Sequence, residues 1–98
     1  MLSGRIDQIS SHVARILREE REEQALSMTA LAERAGLSRT MIRFVEREVR
    51  NPSLETLLRI AFALKIDLGS VIEKAIDASD RQMNLKQRKR GKRRRISR

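Results

Sequence analysis

The eleven residues SRTMIRFVERE, numbers 38–48, hold three arginines, a threonine and a phenylalanine. An arginine presents a planar fork of donors that meets two acceptors at once, threonine offers a hydroxyl and a methyl, and phenylalanine offers an apolar face. Together these types suit the reading of a flat, acceptor-rich surface, provided that one face carries them all.

Helical geometry places them. With Ile42 set at zero, Val45 falls at ~−60°, Glu46 at ~40° and Val49 at ~−20°, which is the core side of an amphipathic helix. Arg39 falls at ~60°, Arg43 at ~100°, Arg47 at ~140°, Thr40 at ~160° and Phe44 at ~200°, a continuous outward face. Arginines at this spacing also describe the solvated side of an ordinary helix. Phe44 argues against that bland reading, because a large apolar residue opposite the core is an interface residue or a liability. The DNA major groove suits such a face: arginine bonds guanine bidentately, threonine bonds a base edge or touches a methyl, and phenylalanine packs on a thymine methyl.

The elements that must hold this face can be read on either side of it. Ile6, Ile9, Val13, Ile16 and Leu17 recur at helical steps and predict a first helix over 7–24. Ser27 is a capping residue for a short second helix with Leu31, Ala32 and Ala35 inward, stopped by Gly36. Ser38 caps the third helix, 39–48, so two helices are joined by a tight turn, the helix-turn-helix unit. Residues 49–52 form a loop ahead of Pro52. Ser53 then opens a fourth helix over 54–64 with Leu54, Leu57, Leu58, Ala61 and Leu64 on one side, and Asp67 caps a fifth with Leu68, Val71, Ile72 and Ala75 inward.

Read together, LAERAGLS, the IRFVE segment and NPS within REEREEQALSMTALAERAGLSRTMIRFVEREVRNPSLETLLRIAFALKID resemble the phage repressor and Cro group, the xenobiotic-response-element family, over residues 12–73. The resemblance implies an all-α, compact five-helix lambda-repressor-like bundle whose third helix lies in the major groove. Carried over position by position, it puts Arg39, Thr40 and Phe44 at base-contacting sites and Arg43 at a neighbouring groove-facing site. Ser38, Arg47, Arg50 and Asn51 fall where the cap and following loop approach phosphate. Arg21 and Glu46 fall where relatives form a structural ion pair between the first and third helices. Two positions depart from the pattern: Met28 stands where a glutamine often contacts the backbone, and Glu48 stands where glycine is favoured.

Composition bounds the rest. In 98 residues 40% are hydrophobic but only two are aromatic, so the core is aliphatic, and the absence of cysteine excludes disulfides and thiolate chemistry. No segment reads as a signal peptide or reaches the roughly 20 apolar residues of a membrane span. A soluble cytoplasmic protein, nucleoid-associated when bound to DNA, is the expectation.

The net charge is +9, yet residues 81–98 carry ten basic side chains and no acid, leaving 1–80 with 12 basic against 13 acidic groups. A helix-turn-helix domain over 1–80 and a disordered basic tail over 81–98 are therefore expected. Lys86, Arg88, Lys89, Arg90, Lys92, Arg93, Arg94 and Arg95 in that tail suit sequence-independent phosphate contacts. RNA or another acidic partner, a nuclear address and a merely solubilising end are the alternatives.

The remaining polar groups offer no catalytic set. His12 is the lone histidine, and Glu19, Glu20, Glu22 and Glu23 are spread around a helix, with pairs Arg15–Glu19 and Arg18–Glu22 expected. No enzyme, metal or small-molecule cofactor is expected. The expected role is a sequence-specific double-stranded DNA-binding transcriptional regulator, a repressor in type, working as a homodimer. A helical protein-interaction or coactivator module is the alternative. Val71, Ile72, Ala75 and Ile76, or Leu2 and Ile6, are the candidate dimer surfaces.

Overall fold

The computed structural model describes residues 2–49 and 51–90, with side chains described for 3–49 and 51–84. Five helices follow one another, with no strand among the described residues: α1 (Leu2–Glu23), α2 (Met28–Ala35), α3 (Arg39–Glu46), α4 (Leu54–Leu64) and α5 (Leu68–Arg90).

Each start after the first is fixed by a short polar side chain. Ser27 Oγ accepts from the Ala30 N–H at 3.0 Å, Ser38 Oγ from Met41 at 3.0 Å and Ser53 Oγ from Thr56 at 3.1 Å. Asp67 Oδ2 accepts from the Ser70 N–H at 2.9 Å. A cap of this kind stabilises a helix by about 1 kcal/mol.

The ends share one device as well. After α1, α2, α3 and α4 a residue turns left-handed, at Ala25 (φ 57°), Gly36 (φ 70°), Glu48 (φ 59°) and Lys65 (φ 61°). In each case the next amide reaches back to a carbonyl of the last turn: Leu26 to Arg21, Leu37 to Ala32, Val49 to Phe44 and Ile66 to Ala61, at 2.9–3.1 Å. This closure satisfies carbonyls that a helix end leaves open. Only one of the four positions is glycine, so three carry the cost of a left-handed Cβ.

The core draws on all five helices and is aliphatic. Leu17, Leu31, Ile42 and Leu64 are at most 1% exposed, each burial contributing about 1.5–3 kcal/mol. α1 packs most extensively on α5, while α2 lies against both α3 and α4.

Several boundaries and faces differ from the sequence expectation. α1 starts at Leu2, five residues early, because its first turns find partners on α5: Arg5 Nη1 lies 2.8 Å from Asp80 Oδ1, and Ser79 donates to Gln8 Oε1 at 3.2 Å. α3 stops at Glu46 instead of 48. Val49, expected on the core side, is 59% exposed because the left-handed turn at Glu48 takes it out of helical register. Leu54 is 64% exposed, since the buried side of α4 centres on Ile60, Ala61 and Leu64 and turns its first residue outward.

α5 runs on to Arg90, ten residues past Asp80, through a stretch of helix formers with no glycine or proline before Gly91. The side chains of Lys86, Arg88, Lys89 and Arg90, together with Arg50 and the whole of Lys92, Arg93, Arg94 and Arg95, lie outside the described residues. Val71 and Ala75, offered as dimer-surface residues, are 3% and 0% exposed and belong to the core.

Candidate nucleic-acid interface

α3 is held to the domain by both apolar and ionic contacts. Ile42 and Val45 enter the core at 0% and 3% exposure. Beside them Glu46, also buried, accepts from Arg21 Nε at 2.7 Å and from Arg21 Nη2 at 3.0 Å, a bidentate pair between α1 and α3. Arg21 Nη1 donates to the Leu26 carbonyl at 2.7 Å, which ties the α1–α2 turn into the same network. Hydrogen bonding to Glu46 raises the Arg21 guanidinium above its ordinary pKa; burial opposes this, and the charges of Glu46 and Glu22 reinforce it. A cation raised in this way lends its stability at every pH below its ordinary value and loses it only as pH climbs through the higher folded one. Arg21 therefore keeps its charge through neutral and mildly alkaline conditions.

With that side anchored, the opposite side of α3 is turned out. Arg39, Thr40, Arg43 and Arg47 are exposed, and none of the three arginines forms an ion pair with a described residue. Elsewhere, Arg5, Arg15, Arg21 and Arg59 each face a carboxylate within 3.1 Å. Phe44 departs from its expected place. It is half-buried, not fully turned out.

Ser38 is exposed at the start of this face. Its cap with Met41 uses an acceptor lone pair of the hydroxyl and leaves the O–H available as a donor. Asn51 is exposed beyond the helix. Glu48, the departure from glycine, has its carboxylate turned onto α1, where Ser11 donates to Oε1 at 2.6 Å. That bond directs a negative charge toward α1. Glu48 and Asp7 also line a groove of about 410 Å³ between α1 and the Asn51–Pro52 turn.

Two further contacts were not foreseen. Gln24 donates from Nε2 to the Leu64 carbonyl at 2.8 Å, locking the ends of α1 and α4 together. His12 Nε2 stands 3.0 Å from Gln82 Oε1 and its Nδ1 3.1 Å from Arg15, so the lone histidine bridges α1 and α5. Arg15 pairs with Glu19 at 3.1 Å, but Glu22 sits 3.8 Å from Arg21 instead of pairing with Arg18, since the buried guanidinium lies beside it in sequence. Among the described residues, no three acidic or histidine side chains gather to hold a metal ion.

The short turn between α2 and α3, the capped third helix and its buried ion pair complete the geometry of a helix-turn-helix. A helix-turn-helix family model matches residues 17–71. The chain belongs to the Cro/C1-type helix-turn-helix family. That family comprises DNA-binding transcriptional regulators. The chain is 38% identical over 71 residues to an immunity repressor protein of Bacillus phage phi105, covering 70% of this chain and 49% of that protein. It is 44% identical over 50 residues to an uncharacterized HTH-type transcriptional regulator of Mycobacterium tuberculosis, covering 51% of this chain and 36% of that one. The chain thus spans half or less of the length of these two relatives.

Among solved structures it is similar to a mutant of the restriction-modification controller protein C.Esp1396I, with a TM-score of 0.64, 28% identity and coverage of 69% of this chain and 88% of that one. The clp gene regulator ClgR from Corynebacterium glutamicum shares the fold, with a TM-score of 0.71 at 22% identity over 84% and 87% of the two chains. Among the described residues, no helix of this family member is long and apolar enough to cross a membrane.

Proposed function

We propose that this chain is a sequence-specific double-stranded DNA-binding transcriptional regulator, a repressor that places α3 in the major groove. The observation that carries this reading is the exposed arginine face of a helix fixed from behind by a buried ion pair: Arg39, Arg43 and Arg47 have no carboxylate partner among the described residues, so phosphate or a base edge can take them without breaking a bond. Arg39 and Arg43 bond guanine edges, Thr40 bonds or touches the neighbouring base, and Phe44 presents the exposed part of its ring to a thymine methyl. Ser38, Arg47, Arg50 and Asn51 contact phosphate and set the register. The basic residues of 81–98 add salt-sensitive contacts that carry no sequence preference. The similarity to a phage immunity repressor supports regulation by repression.

The chain acts as a homodimer in the cytoplasm, on two half-sites about one helical turn, roughly 34 Å, apart. Selection of bound sequences from random duplex DNA, with excess competitor at raised salt, tests the reading. A two-fold symmetric motif is the expected product; failure to enrich any motif overturns it.

A further inference from the structure

Arg18 is exposed on α1 and has no carboxylate partner among the described residues. The partner that i,i+4 spacing offers it, Glu22, stands 3.8 Å from Arg21 instead. Two α1 side chains with fixed contacts show where Arg18 lies. Arg21 bonds Glu46 of α3, and Ser11 donates to Glu48 just past the end of α3. With Arg21 set at zero, Arg18 falls at ~60° and Ser11 at ~80°, so Arg18 lies within the sector of α1 that borders the end of α3.

The order of side chains across the seam between the two helices is the same on both. On α1 it runs from buried Leu17 at ~−40° through Arg21 to exposed Arg18; on α3 it runs from buried Ile42 through Glu46 at ~40° to exposed Arg43 at ~100°. The buried ion pair thus separates the core from a solvent-side edge on which each helix presents an arginine. α5 meets the other side of α1, at Arg5, Gln8 and His12, and leaves this edge open. The carboxylates that border the edge are engaged, Glu22 beside Arg21 and Glu48 by Ser11.

We infer that Arg18 carries the DNA interface from α3 onto α1, as a phosphate contact that fixes position without reading a base. The inference rests on the DNA-binding reading above and adds a residue to it. Arg18 takes a phosphate oxygen without giving up an existing ion pair, and α1, set behind α3, reaches the rim of the groove and not the base edges on its floor.

Duplex binding by the full chain over a salt series reads this, with denaturant unfolding of each variant as the check on folding. Arg18→Gln is expected to weaken binding to the selected motif and to unrelated duplex by the same factor and to lower the slope of log K against log salt by about 1, with the motif and the unfolding midpoint unchanged. Arg18→Lys, which keeps the charge, is expected to keep the slope. Lys74→Gln removes one exposed, unpaired cation from α5 and controls for net charge; it is expected to leave the slope at the wild-type value. An unchanged slope for folded Arg18→Gln, or an equal fall for Lys74→Gln, overturns the contact, and an altered motif overturns its assignment to phosphate. A wild-type chain that binds duplex with no preferred motif overturns the regulator reading, while the slope difference still decides the role of Arg18. A wild-type chain that binds no duplex overturns both.

Discussion

α3 and α4 are built alike and differ in what they show the outside. Each opens on a serine cap, Ser38 and Ser53, and each closes through a left-handed residue that is not glycine, Glu48 and Lys65. Yet α3 turns out Arg39, Arg43 and Arg47, and α4 turns out Leu54 and Phe62 beside the Glu55–Arg59 pair. Their anchors differ in the same direction: α3 combines apolar contacts with the buried Arg21–Glu46 pair, whereas the buried side of α4 consists of Ile60, Ala61 and Leu64. Local architecture thus makes a rigid helix, and the outward residues decide whether the face it shows is cationic or largely apolar. An ionic anchor also fixes direction, because a bidentate pair constrains orientation as well as position.

Breaking the anchors should give the largest effects. Glu46→Ala leaves the Arg21 guanidinium buried without its carboxylate and should lower unfolding free energy by about 3–5 kcal/mol. Leu64→Ala, which opens a cavity under α4, should cost about 2–5 kcal/mol. Denaturant titration measures both; a loss under about 1 kcal/mol for Glu46→Ala would mean that the pair is not holding α3.

The outward faces should separate binding from folding. Arg39→Ala should leave stability unchanged within about 0.5 kcal/mol while weakening binding by about 1–3 kcal/mol and relaxing preference at one base pair per half-site. A uniform loss over all sequences would instead assign Arg39 to phosphate.

The caps should be interchangeable in weight. Ser38→Ala and Ser53→Ala should each cost about 1 kcal/mol of stability, but only the first should also reduce DNA affinity. Equal effects of the two on affinity would count against the phosphate role of Ser38. The smallest change should come from the closures: Lys65→Gly should stabilise by about 0.5–1 kcal/mol by relieving the left-handed Cβ, and Glu48→Gly by less, since it also removes the Ser11 bond. Melting curves of the two variants compare them.

Much of the fold could be read because its signals are local. Ser27, Ser38, Ser53 and Asp67 act on amides three residues ahead, so their caps are visible in any short window. Gly36 was legible as a helix stop for the same reason. Ala25, Glu48 and Lys65 were not, because nothing in their chemistry prefers a left-handed backbone, and they adopt it only where packing on both sides dictates the chain path. The outward placement of Leu54 and Phe62 was hidden differently. In LETLLRIAFAL the polar Glu55, Thr56 and Arg59 fill one sector and apolar residues the rest, so periodicity alone could not say which leucines face inward, and Leu54 lies outside where the spacing puts it inside.

The sequence by itself determined the helix count, the positions of the caps, the aliphatic core and the outward placement of Arg39, Arg43 and Arg47, since each follows from helical spacing and from chemistry within one turn. Only the tertiary structure decided that Phe44 sits half-buried, that Glu48 turns its carboxylate to Ser11, that α1 reaches back to Leu2 against α5, and that Phe62 is left outside the core. The Glu48 and α1 outcomes depend on neighbours 37 and 75 positions away, in the pairs Ser11–Glu48 and Arg5–Asp80, and only the packed chain brings such pairs together.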